Sequence, residues 1–264
     1  VYTLGHRNPQ GLTLGPGGRI YSSEHGNSTD DEINLIEPGK NYGHPLIIGP
    51  ADGNYDGLAA AATEHASLPG VWHTTYPFIE NEKATAAALG TEYRDPIKSL
   101  YPLSKQFLTA VLTRVRAQDP KQPEWPSEAP SSLAVYPAAA IPGWQNSLLL
   151  PTLKTGKLIR LPLSASGSAV SGDTLTYFRL PVRYRDLALS PDGRRIYLAT
   201  DSASVTSGPS KEDPQRISCP GCIIEYTYLG SGPAAQGKTG ARPGPAASGK
   251  PRSAPRSKAA GAKQ

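Results

Sequence analysis

Two stretches, GLTLGPGGRIYSSE (residues 11–24) and DLALSPDGRRIYLATD (residues 186–201), decide how this chain is read. Each is a short apolar run, a Pro-Gly-Gly or Pro-Asp-Gly turn, and then a run in which apolar and polar residues alternate. Alternation with a period of two puts one set of side chains on a core face and the other toward solvent, as in a half-buried strand. The turn residues act by mechanism: proline presets φ and glycine accepts positive φ. Both stretches therefore predict antiparallel hairpins. Superposing the turns aligns Leu12-Thr13-Leu14 with Leu187-Ala188-Leu189. After one gap, Arg19-Ile20-Tyr21 falls on Arg195-Ile196-Tyr197. The chain carries a weak internal repeat of a strand–turn–strand unit.

Further strands are predicted at 32–36, 132–136, 147–151, 157–163, 174–180 and 223–229. Recurrent hairpins point to an all-β fold, a β-propeller whose blades are four-stranded antiparallel sheets around a central channel. Ten strands make about two and a half to three blades, and a closed ring needs about four or more. The reading is a partial propeller cut from a longer chain: Val1 opens in what reads as mid-strand, and there is no Met. Between Gly43 and Pro130 the strand rhythm lapses. Residues 84–89 and 98–118 read as partly helical, the second interrupted by Pro102. The whole stretch reads as long loops on one face, where a rigid scaffold usually carries its site.

Composition separates a core region, 1–230, from a tail, 231–264. The tail has no Leu, Ile, Val or aromatic residue, so it cannot bury enough apolar surface to offset its ordering entropy and is expected to be disordered. It also holds seven Lys/Arg and no acid, more than the whole net charge of +5. The basic balance is thus a property of a solvated appendage, and no nucleic-acid partner is read from it. No apolar run approaches the roughly 20 residues of a membrane span. The two cysteines stand as Cys219-Pro-Gly-Cys222, with every histidine more than 140 residues upstream. A zinc site would need two further ligands. A turn disulfide or a pair of free thiols before a strand remains.

Several clusters can carry chemistry. In His6-Arg7-Asn8-Pro9-Gln10-Gly11, Arg7 offers a planar fork suited to a carboxylate, and Asn8 and Gln10 offer both donors and acceptors. The set suits a small polar anion, or simply a capped loop. The loop from Glu24 to Glu32 packs three consecutive acids among Gly, Asn, Ser and Thr. Hard cations such as calcium take carboxylate and carbonyl oxygens, although the spacing is not that of an EF-hand, and a solvated acidic turn is equally open. Arg183 and Arg185 point to one face of an extended strand. They repel unless an anion sits between them or Asp186 pairs with one. Lys154 is a lone cation after an apolar strand. Trp125, in a Pro-fixed loop, could stack on a sugar ring or wedge into a core edge.

The strings GHRNPQGL, SSEHGNSTDDEINLI followed by GKNYGHP, WPSEAPSS, GWQNSLLLPTLKTGKLIRL and RYRDLALSPDG occur here in that order. Together they resemble the pyrroloquinoline-quinone (PQQ) dependent sugar dehydrogenases of the glucose/sorbosone dehydrogenase family. The resemblance runs from residue 1 to about 229 and implies the C-terminal half of a six-bladed propeller. It implies PQQ as cofactor, held by Arg7, Asn8, Ser127, Lys154, Arg183 and Arg185. It implies a calcium ion on the backbone carbonyls of Gly26 and Asn27, and a sugar site lined by Gln10 and Trp125. The implied reaction is hydride transfer from the C1 of an aldose to the quinone, giving the lactone, with a histidine as general base. That histidine is expected upstream of Val1, so this chain alone is expected to be inactive. Asn27 stands where the family has Pro, Ser127 where Thr is frequent, His44 where Trp is usual, and Gln122 where a Tyr is expected. These departures leave the sugar open. The resemblance further implies a periplasmic or secreted protein and leaves open a homodimer and the electron acceptor. The competing reading is a non-catalytic propeller binding module of the same family. A calcium-dependent lactonase ranks behind both, since the acids cluster in one loop.

Overall fold

The computed structural model describes residues 1–27, 29–60, 76–117, 126–202 and 218–230. The chain divides into a unit Val1–Leu229 and a unit Gly230–Gln264, and the fold below is that of the first. The expected disorder of the tail and the expected roles of Trp125 and Gln122 fall outside the described residues.

The first quoted stretch folds as the predicted hairpin. Strand β1 (Pro9–Leu14) turns through Pro16–Gly18 into β2 (Ile20–Glu24), with Leu12 opposite Ser22 and Leu14 opposite Ile20. Gly17 and Gly18 take φ of 69° and 74°, which is why the turn carries two glycines. Strand β3 (Asp31–Ile36) returns along β2. The excursion that follows holds a two-strand pair, β4 (Leu58–Ala59) with β5 (Phe78–Ile79), and helix α1 (Glu82–Leu89). Buried Glu82 accepts the backbone N–H groups of Ile48 and Gly53, fastening the preceding loop onto α1. Strand β6 (Lys98–Leu100) then adds to β3 as the fourth strand, and helix α2 (Lys105–Arg116) follows.

The second sheet is β7 (Ala134–Tyr136), β8 (Ser147–Pro151), β9 (Leu158–Pro162) and β10 (Leu175–Tyr177), each antiparallel to the next. The third is β11 (Tyr184–Leu189), β12 (Arg195–Thr200) and β13 (Ile223–Thr227). The second quoted stretch makes β11 and β12, joined by a turn in which Ser190 N–H donates to Arg195 O at 3.0 Å. Cys219 and Cys222 form a disulfide just before β13.

All ten predicted strands are present. The all-β expectation is corrected to mostly-β, because α1 and α2 are true helices. Residues 98–100, read as helical, are instead β6: pairing with β3 outweighs local propensity there.

The sheets stack face to face with the second in the middle. Every residue of β8 is buried. Its Leu148 and Leu150 join Tyr21, Ile33 and Leu35 of the first sheet in one core, while Leu149 joins Tyr184, Ile196 and Leu198 of the third in another. This is the period-two alternation of a strand covered on both sides. Two tyrosines stitch the stack: Tyr21 Oη donates to Gly167 O at 2.8 Å and Tyr136 Oη to Gly193 O at 2.6 Å. The edge strands β1, β7 and β11 lie side by side. The residues that enter each of these three strands therefore meet at one end of the stack.

Candidate functional site

Arg7 and Asn8 lie immediately before β1, Ser127 and Glu128 on the approach to β7, and Arg183 and Arg185 at the start of β11. The β2–β3 loop, with His25, Gly26 and Asn27, and the β8–β9 turn, with Lys154, open at the same end.

The Arg7 fork spans the β2–β3 loop. Its Nη1 donates to His25 O at 3.0 Å and Gly26 O at 3.1 Å, and its Nη2 to Asn27 Oδ1 at 3.3 Å. Its Nε is buried without a hydrogen-bond partner. The Arg7 backbone N–H donates to Glu24 Oε2 at 2.8 Å, and Glu24 Oε1 also accepts His6 Nδ1 at 2.9 Å. Asn8 is held between Gln10, which donates to its Oδ1 at 2.7 Å, and the His25 ring at 3.4 Å.

Two groups organise this end: His25, to which the sequence assigns no role, and Asp31, which the sequence offers only as part of a cation loop. His25 donates from Nε2 to Pro130 O at 2.9 Å, which leaves Nδ1 to accept from Asn8. Burial, against the pull of Asp31 and the Pro130 bond, holds its pKa below the ordinary histidine value, and the Arg7 and Arg185 cations push the same way. His25 is therefore kept neutral in the field of two guanidiniums that come from different sheets. Asp31, 1% exposed, accepts four donors: Gly26 N at 3.1 Å, Ser127 Oγ at 2.9 Å, Glu128 N at 2.7 Å and Ala129 N at 3.0 Å. It ties the β2–β3 loop to the approach to β7. Its place in a run of three acids reads as metal chemistry, but the carboxylate is spent on N–H and O–H groups.

The anion between Arg183 and Arg185 is Asp201, at the end of β12. Arg185 donates to it from Nε at 2.7 Å and from Nη2 at 2.8 Å, and Arg183 from Nε at 3.1 Å. Burial alone would raise the Asp201 pKa; the hydrogen bonds from the two guanidiniums overturn that and leave it low. Asp186, the alternative partner, instead accepts Ser132 Oγ at 2.6 Å. Lys154 donates its backbone N–H to Glu128 O at 3.2 Å and its side chain is partly exposed. Glu128 faces the other way, paired with Lys157 Nζ at 2.6 Å. Among the described residues no group of three or more His, Cys, Asp or Glu side chains is placed to hold a metal ion.

Gly26 is required by space. A Cβ there would lie 1.7 Å from Thr29 O and 2.7 Å from Asp30 O, both backbone. The substitution Gly26→Ala must open the loop and pull Gly26 O from Arg7. A loss of about 2–3 kcal/mol is expected in urea unfolding, and a midpoint equal to that of the parent would contradict this packing.

The next residues behind the loop set a pH dependence. Burial raises the Asp30 carboxyl to about 7, opposed by the Ser99 hydroxyl, and burial raises Glu32 as well, reinforced by Glu24. A carboxyl whose folded pKa lies above its unfolded value binds more protons when folded. Its contribution is complete below the unfolded pKa, near 3.8 for Asp30, and is lost as pH rises toward about 7. The parent is expected to lose on the order of 4 kcal/mol over that window from Asp30, and Asp30→Asn to lose correspondingly less. Equal slopes of stability against pH for the two proteins would refute this.

The scaffold and site so far define a mostly-β protein that gathers three guanidiniums, a lysine and carboxamides at the end of stacked sheets, an arrangement suited to a multiply anionic polar ligand. A sequence profile described as Glucose / Sorbosone dehydrogenase matches residues 1–96 and 100–206. The chain belongs to this family. It is 35% identical over 241 residues to the quinoprotein glucose dehydrogenase B of Acinetobacter calcoaceticus, covering 86% of this chain and 48% of that protein. It is 28% identical over 205 residues to the aldose sugar dehydrogenase YliI of Escherichia coli, covering 77% and 42%. The chain thus spans about half the length of these relatives. Among solved structures it is similar to a glucose dehydrogenase, with TM-score 0.47 and 29% identity over 76% of this chain and 43% of that one. A PQQ-bound aldose sugar dehydrogenase from Streptomyces coelicolor gives TM-score 0.46 and 22% identity over 85% and 44%.

Proposed function

We propose that this chain is the cofactor-holding part of a PQQ-dependent dehydrogenase that oxidises an aldose at C1 to the lactone. The observation that carries the reading is the convergence of Arg7, Arg183 and Arg185 on one end of the stack, with a buried Arg7 Nε left unpartnered. A buried unpartnered donor costs about 1–3 kcal/mol, and a carboxylate at this end would satisfy it. PQQ has three carboxylates, so the residues present fit it. Arg7, Asn8, Ser127, Lys154, Arg183 and Arg185 would hold it. Bound there, the quinone supplies the two-electron acceptor for the sugar. The guanidiniums would orient its carboxylates and supply positive charge beside it. Gln10, exposed beside Asn8, together with Trp125 would contact the sugar.

Calcium fits less well. Of its two expected carbonyl ligands, Gly26 O already accepts Arg7 Nη1, and the Arg7 fork lies over the second residue as well, bonded through Nη2 to the Asn27 side chain. The Asp31 carboxylate, which accepts the Gly26 N–H, is engaged by four donors. An ion on the Gly26 and Asn27 carbonyls would require Arg7 to turn away, so no chemistry is derived through it. The general base is not assigned to a described histidine: His6 is bonded to Glu24 and Thr3, and His25 to Pro130 and Asn8. His44 is packed edge-on against Tyr76. We accordingly expect the chain to bind PQQ without turning over sugar.

The three stacked sheets, with β1, β7 and β11 adjacent, support about three blades of a propeller, and the family supports a periplasmic or secreted protein. One observation favours the alternative of a non-catalytic binding module: Asp201 already neutralises the arginine pair. Equilibrium dialysis of PQQ against the folded chain separates the two. Saturable binding at micromolar concentration supports the cofactor reading. Its absence, together with no dye-linked oxidation of any aldose by the longer protein, would leave the binding module.

A further inference from the structure

The Cys219–Cys222 pair stands apart from the groups that would hold the cofactor, and its surroundings give it a role. Its turn sits on the end of β12. Thr200 N–H donates to Cys222 O at 2.8 Å, and Cys222 N–H to Thr200 Oγ1 at 2.9 Å. The Thr200 hydroxyl donates to Cys219 O. One residue on, Gly221 N–H donates to Asp201 O at 3.0 Å, while Asp201 N–H donates to Arg183 O at 2.9 Å. Ser218 N–H closes the other side onto Pro181 O at 2.9 Å. The disulfide turn is thereby bonded to both chains that carry the arginine–aspartate cluster. It holds Asp201 by its carbonyl, directly behind the carboxylate that Arg183 and Arg185 share.

We propose that the Cys219–Cys222 disulfide is a redox-sensitive clasp that positions Asp201, and through it Arg183 and Arg185, so that opening it loosens the anion seat. This rests on the reading that these arginines hold an anionic cofactor. Two features make the clasp local and switchable. A bridge between residues three apart closes one of the smallest possible loops, so it restricts the unfolded chain little and constrains mainly its own turn. Both cysteines are partly exposed and the Pro220–Gly221 bend between them is exposed, so a thiol reductant can reach the sulfurs. The step balances as a thiol–disulfide exchange: a dithiol attacks one sulfur, the Cys219–Cys222 bond breaks, two cysteine thiols form, and the reductant leaves as its own disulfide. Freed of the bridge, the two cysteine carbonyls and the Gly221 N–H lose their common frame, and Asp201 with them.

Reduction to neutral thiols adds no charge near the seat. A change in anion affinity therefore reports position and not electrostatics. The full chain is prepared oxidised, reduced with a dithiol at pH 7, and reoxidised, with thiol titration confirming each state. Hydrogen exchange reads the clasp without any ligand: faster exchange is expected at 183–185 and 199–201 on reduction, reversed on reoxidation. PQQ titration reads the seat: about tenfold weaker binding is expected in the reduced form. The double variant Cys219→Ser/Cys222→Ser is expected to sit at the reduced level and to ignore dithiol. If that variant does not fold, the reduced and reoxidised parent still decide. Unchanged exchange at those segments overturns the clasp. Changed exchange with equal PQQ affinity in both states overturns its coupling to the seat. Changed exchange with no PQQ binding in either state leaves the clasp standing and overturns the cofactor reading instead.

Discussion

Asp31→Ala is expected to cost about 3–5 kcal/mol of stability and to scatter the site. The carboxylate is 1% exposed and receives Gly26 N, Ser127 Oγ, Glu128 N and Ala129 N. Deleting it strands these donors at once, and Glu128 is itself buried. A buried donor without a partner costs about 1–3 kcal/mol, and charge-assisted bonds are the stronger kind. Some relief comes from water entering on the Ser127 side, which is why the expected cost lies below the simple sum. Ala129 holds φ at 51°, a conformation a non-glycine residue keeps only when its neighbours impose it. Without the bond to Asp31, that backbone relaxes and Ser127 swings with it. Urea unfolding with an unchanged m-value measures the cost. A loss under about 1 kcal/mol would mean that Asp31 is not the tie between the two loops. Asp31→Asn separates charge from shape: it keeps one acceptor but turns an N–H2 toward other N–H groups, so it is expected to recover little.

Asp31 also shows where sequence reading reached and where it stopped. The hairpins were legible because Pro-Gly-Gly and Pro-Asp-Gly turns have a local mechanism, and β8 because its apolar run has no other use. Strands β4, β5 and β6 were not legible: at two or three residues each they have no period, and only their partners make them strands. The recognised motifs placed Arg7, Asn8, Ser127, Arg183 and Arg185 at one end of the sheets. What the motifs did not carry were the acids and the histidine that organise those groups. A carboxylate in a loop looks the same in sequence whether it awaits a cation or accepts hydrogen bonds from a segment 96 residues away, as Asp31 does from the Ser127 hydroxyl. Asp201 was within reach. Once β11 and β12 are paired through the Pro-Asp-Gly turn, Tyr184 faces Thr200, and the next position outward brings Asp201 against Arg183. The neighbouring Asp186 is adjacent in the chain, yet the register shifts between Tyr184 and Asp186, and its carboxylate accepts Ser132 Oγ instead.

Arg7→Ala is expected to weaken PQQ binding by about a hundredfold, near 3 kcal/mol, while lowering stability by only about 1–2 kcal/mol. The asymmetry follows from what the guanidinium does in each state. Without ligand it bonds two loop carbonyls and the Asn27 side chain, all near solvent, and leaves Nε unsatisfied. Truncation then exposes those oxygens to water and removes an unsatisfied donor as well, so the folded chain loses little. With a carboxylate present, the same fork supplies a charge-assisted bond that water replaces poorly. Arg7→Lys is expected to fall close to Ala, because an ammonium keeps the charge but cannot span His25 O, Gly26 O and Asn27 Oδ1 together. Lysine matching the parent would show that charge alone suffices. The same substitution tests the metal: Arg7→Ala frees the Gly26 carbonyl, so calcium should bind the variant at least as tightly as the parent while PQQ binds it more weakly. If calcium and PQQ affinities fall together instead, the Gly26 carbonyl and Arg7 serve one joint site, and the guanidinium lies beside the ion rather than in its place.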